Sequence, residues 1–83
     1  MIVYIYTMSW LEFIWDLRKF GEIRPLDADG SAFELKMGEA YFHLFFKNNT
    51  YSAVKYEKGM IEVLYSGEFL SHLKANLFRK SRL

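Results

Sequence analysis

The sequence predicts an α+β fold: a two-layer sandwich in the order β-α-β-β-β-β-α, with a mixed or antiparallel sheet and two helices on one face. Three observations carry this reading. Runs of β-branched and aromatic residues are separated by short turn signals, two other stretches place apolar residues at helical spacing, and 83 residues leave room for one core. The whole chain, 1–83, therefore reads as a single domain, and a domain this short buries roughly 60% of the surface its unfolded form exposes.

Each element has its own reason. Residues 2–7, Ile-Val-Tyr-Ile-Tyr-Thr, have the composition of a strand. Ser9 followed by Glu12 forms a capping-box pattern ahead of an apolar-periodic stretch, and Gly21 follows as a stop, which predicts a helix over 9–20. Residues 21–31 hold the only proline and two glycines, so they are expected to form one long loop. Strands are expected at 32–37, 40–47, 50–57 and 60–66, joined by turns such as Asn48-Asn49 and Lys58-Gly59. Phe69, Leu70, Leu73 and Leu77 then recur at helical spacing and predict a closing helix over 67–79.

Turn length decides which residues share a sheet face. A two-residue turn at Lys58-Gly59 sets Val54 opposite Val63, Lys55 opposite Glu62 and Tyr56 opposite Ile61, so charges pair on one face and apolar residues on the other. A two-residue turn at Asn48-Asn49 puts Tyr41, His43 and Phe45 on the Val54/Val63 face; a three-residue loop puts Phe42, Leu44 and Phe46 there instead. Both registers leave residues 41–46 apolar on each side, which suits a strand that is central or covered twice.

Sixteen residues are aromatic (eight Phe, six Tyr, two Trp), more apolar surface than a two-layer domain of this size easily hides. Along the helix over 9–20, Trp10, Leu11, Phe13, Ile14, Trp15, Leu17 and Phe20 span roughly 220° of the circumference, whereas packing on a sheet needs about 100° or somewhat more. The surplus, chiefly Leu11 and Trp15, is expected to meet the second helix, the long loop or another chain.

Motifs for chemistry are scarce. With no cysteine, thiolate nucleophiles, disulfides and Cys-based metal sites are excluded. Asp27-Ala-Asp29-Gly30 resembles the start of a calcium loop, but the twelfth position is Gly38 where a bidentate Glu is required, so it reads as a turn. His43 and His72 stand far apart and read as packing residues rather than metal ligands. No cofactor, metal or catalytic set is expected, although scattered residues such as Tyr41, His43, Lys55 and Glu62 could in principle assemble an enzyme site. After Glu68 there is no acid, while Lys74, Arg79, Lys80 and Arg82 fall among the last ten residues. Basic residues in a last helical turn favour the helix dipole; as a functional feature they suit phosphates or an acidic partner surface.

The functional expectation is protein binding, as a homodimer or as an inhibitor or regulator docked on a larger macromolecule, with Leu11, Trp15, Tyr41 and Phe45 as contact residues. The alternative is nucleic-acid binding through Lys74, Arg79, Lys80 and Arg82 together with sheet aromatics, against which stands a pI of only about 8.0. No apolar run approaches the roughly 18 residues of a spanning helix and no basic leader opens the chain, so a cytoplasmic protein without membrane contact is expected.

Overall fold

Turns with left-handed backbone build the sheet. Asn48 and Asn49 have φ of 51° and 62°, and Lys58 and Gly59 have φ of 52° and 77°. These are two-residue turns with positive φ at both central positions, whose twist matches that of the flanking strands. In the computed structural model, which describes residues 2–81 and the side chains of residues 9–79, five strands follow one another as antiparallel neighbours. They are β1 (Glu22–Pro25), β2 (Ala32–Met37), β3 (Ala40–Lys47), β4 (Thr50–Glu57) and β5 (Met60–Gly67), in the spatial order β1-β2-β3-β4-β5. A helix precedes the sheet, α1 (Ile2–Asp16), extended by one 3-10 turn over Leu17–Lys19, and α2 (Leu70–Ser81) follows it.

The α+β class holds and the sheet is antiparallel throughout, but the element order is α-β-β-β-β-β-α. Residues 2–7 are the first half of α1 rather than a strand. No Gly or Pro separates them from the helical residues that follow, so a helix already nucleated there extends backwards at one hydrogen bond per residue, against a strand preference that is weak without partners. Ser9 accordingly lies inside the helix and caps nothing. The region 21–31 is likewise not all loop, because Glu22–Pro25 pairs with Phe33–Lys36 as an edge strand. Pro25, the last residue of β1, is tolerated because an edge strand leaves one side of its backbone unpaired. Gly21 serves that pairing: a Cβ there would run into the Lys36 carbonyl oxygen.

The observed register is the two-residue one at Asn48-Asn49: Lys47 pairs with Thr50, His43 with Val54 and Phe42 with Lys55. Val54 pairs with Val63, Lys55 with Glu62 and Tyr56 with Ile61, as the sequence predicts. A bulge at Ala53/Val54 then shifts the register by one, setting Ala53 opposite Tyr65 and leaving Leu64 as the extra residue. Leu64 is buried.

One core cluster joins Trp10, Phe13, Ile14 and Leu17 of the N-terminal helical segment with Leu35, Phe42, Leu44, Tyr51 and Ala53 of the sheet, and with Leu73 and Leu77 of α2. Trp10 is its hub. Its ring centroid lies 5.9 to 6.4 Å from those of Phe13, Phe33, Phe46 and Tyr51, and its Nε1–H donates to the Gly30 carbonyl at 2.8 Å. That bond satisfies the one polar atom of a buried indole and fastens the loop after β1 to α1.

Candidate functional site

Alternation along each strand carries every second side chain to the face opposite that core. The pairing aligns these residues in two adjacent rows across the sheet. One row is Arg24, Glu34, His43, Val54 and Val63; the other is Glu22, Lys36, Tyr41, Tyr56 and Ile61. Phe45 and Ser52 follow beyond the first row. Both rows run from charged residues on β1 and β2 to apolar ones on β4 and β5.

The face is ordered within itself at its charged end. The Glu34 carboxylate accepts from Arg24 Nη2 and lies against His43 Nε2, each at 2.9 Å. The His43 ring packs on Tyr56 with centroids 4.5 Å apart and meets Phe45 edge-on. Lys36 Nζ sits 5.8 Å from the centroid of the Tyr41 ring. At the apolar end Ile61 and Val63 are 67% and 65% exposed. An antiparallel sheet with one wetted face ordinarily alternates apolar inward and polar outward. Here β3, β4 and β5 are apolar on the outward side too.

Of the four residues expected to make protein contacts, Tyr41 and Phe45 lie on this face, as the two-residue Asn48-Asn49 turn requires. Leu11 and Trp15 do not join them. They are on α1, where with Glu12 and Asp16 they line a shallow groove of about 440 Å³. Leu11 reaches toward the loop at Gly30, one of the three contacts its surplus surface allows. Trp15 is 67% exposed, with the Arg18 guanidinium 3.9 Å over its ring. Ile61, Val63, Val54 and Tyr56 are not among the sequence candidates, although the Lys58-Gly59 register alone pairs them on one face. Asking which face the helices could reach is the step that would have singled them out.

The other candidates do not converge. Tyr41 and His43 share the outward face while Lys55 and Glu62 belong to the opposite one, so the scattered enzyme site is not assembled. Lys74 and Arg79 are on α2, Lys74 with its ammonium 5.6 Å from the Phe13 ring and Arg79 donating to Asn76 Oδ1 at 2.7 Å. Neither lies beside Tyr41 or Phe45. The side chain of Lys80, and all of Arg82, lie outside the described residues. No helix among the described residues is long and apolar enough to cross a membrane.

The Asp27-to-Ser31 segment is a turn held by its own side chains. Ser31 Oγ donates to Asp27 Oδ2 at 2.7 Å, and the Ser31 backbone N–H donates to Asp27 Oδ1 and Asp29 Oδ1. The Ser31 hydroxyl above all, with the nearby Lys47 ammonium helping, holds the Asp27 carboxyl below its ordinary value of 3.8. No protein-family model matches this chain, and no curated protein sequence or solved structure matches it either.

Proposed function

We propose that this chain is a protein-binding domain that works by self-association, with both helices gathered on one face of the sheet and the opposite face as the contact surface. The observation that supports this most is the exposure of Ile61 and Val63 on β5, continuous across the sheet with Val54, Tyr56 and Tyr41. Exposed β-branched residues set singly are ordinary, whereas a contiguous apolar sheet face of several hundred Å² marks a surface that is covered in use. Regulation of a larger macromolecule would use the same face. Multi-angle light scattering across a dilution series tests the reading: the mass is expected to climb from 9.9 kDa toward twice that in the micromolar range. A monomer at high micromolar concentration overturns it.

A further inference from the structure

The two rows of the uncovered face are complementary to each other, strand by strand. We propose that the occupant of this face is a second copy of the chain, packed face to face about a two-fold axis that crosses the strands between the two rows. This rests on the self-association proposed above and adds an axis and a register to it.

Such a rotation turns the sheet over while keeping each strand above its own counterpart, and it exchanges the two rows. On β1, Arg24 of one copy then faces Glu22 of the other. On β2, Glu34 faces Lys36. On β3, His43 faces Tyr41; on β4, Val54 faces Tyr56; on β5, Val63 faces Ile61. Each of the four charges meets its opposite, and every apolar residue of β4 and β5 meets an apolar residue. The competing two-fold, parallel to the strands, sets β5 over β1 and so presses Ile61 and Val63 onto Glu22 and Arg24. That buries charge against hydrocarbon with no opposite charge across the interface, which is unfavourable.

Size agrees with a dimer. Strands of four, six, eight, eight and eight residues, about 4.8 Å apart with about 3.3 Å per residue, present about 540 Å² of flat sheet, and side-chain relief brings this toward the roughly 800 Å² per partner of a standard interface. Aligned sheets cross at about 30°, which displaces the edge strands by about 5 Å, within reach of the Arg and Lys side chains. The charged β1 and β2 close one side of the interface, the apolar β4 and β5 are desolvated on the other, and the His43 and Tyr41 rings of β3 lie between them.

The test is trans-complementation between charge reversals, read by sedimentation velocity at low salt on the full chain. Arg24→Glu puts Glu against Glu at both symmetry-related contacts, and Glu22→Arg puts Arg against Arg. Each variant is expected to dimerise roughly tenfold more weakly than the parent, or worse. An equimolar mixture restores Glu against Arg at both contacts and is expected to dimerise close to parental strength. Repulsion within one chain, such as the new carboxylate of Arg24→Glu beside Glu34, is not relieved by mixing, so restoration can arise only between copies. Both sites are exposed, and thermal melts confirm that the variants fold. Val63→Asp is the control for the face itself and is expected to abolish association. If Val63→Asp disperses the dimer while both charge reversals associate like the parent, or if the mixture stays as weak as its components, the axis and register are wrong although the face still associates. If the parent is monomeric throughout, the self-association reading falls and the arrangement falls with it.

Discussion

Strand β3 turns Phe42, Leu44 and Phe46 to one side and Tyr41, His43 and Phe45 to the other. The two sets are nearly alike in aromatic content and differ in surroundings. Phe42 and Leu44 are buried at 1% and 0% exposure, in a cluster that reaches from Trp10 to Leu77. Tyr41, His43 and Phe45 retain water contact, and β5, two strands away, exposes Ile61 and Val63. The difference teaches that apolar character fixes a demand for cover without fixing its source. On one side the chain supplies the cover itself. On the other, the chain leaves Ile61 and Val63 open, and the second copy proposed above is what would cover them.

The largest expected break in that comparison comes from emptying the covered side. Phe42→Ala should destabilise the fold by about 3–5 kcal/mol, because the cavity left in the core cluster cannot collapse against rigid strands. Tyr41→Ala, one residue away on the open face, should cost no more than about 1 kcal/mol in dilute monomer. Urea midpoints measured below the association range make the contrast, and equal losses in the two variants would show the faces to be equally buried. An intermediate case is Trp15 on α1. Removing this exposed indole should change monomer stability by about 0.5 kcal/mol or less, mostly the stacking with Arg18. It should also leave dimerisation at its parental strength, since Trp15 lies away from the sheet face. A Trp15→Ala variant that loses association would move the contact surface to the groove on α1.

The smallest effect belongs to the loop that closes the covered side. Its turn is held internally by Asp27, whose carboxyl titrates below its unfolded value because the Ser31 hydroxyl stabilises the ionised form. A depressed carboxyl contributes stability that is present above the unfolded value and disappears as pH falls through the lower folded one. Lowering the pH from about 5 to below about 3 should therefore cost the parent slightly more melting temperature than it costs Asp27→Asn, which keeps an acceptor but has no proton to gain. Parallel acid slopes for the two proteins would show that the turn does not feel the charge.

Much of the fold was legible. The strands at 32–37, 40–47, 50–57 and 60–66 and the Val54/Val63 register follow from turn chemistry and period-two patterning, which are local. The closing helix was legible too, three residues early at its start. The two errors, residues 2–7 and the pairing of Glu22–Pro25, share one cause: strand identity belongs to a pair of segments, and composition describes only one of them. The outward face of the sheet was half legible, because Tyr41 and Phe45 announce themselves as aromatics while Ile61 and Val63 look like ordinary core residues.

The sequence by itself determined the class, the turns, the apolar surplus and the absence of cysteine chemistry, since these depend on residue types and on spacings of a few positions. The tertiary structure alone decided where the surplus goes. Trp10 bonds to Gly30 across 20 positions, and five strands from forty-six residues of chain align Arg24, Glu34, His43, Val54 and Val63 in one row. Such a row exists only when every hairpin register is set at once, because a slip of one residue in any turn would carry its strand's outward side chains to the other face.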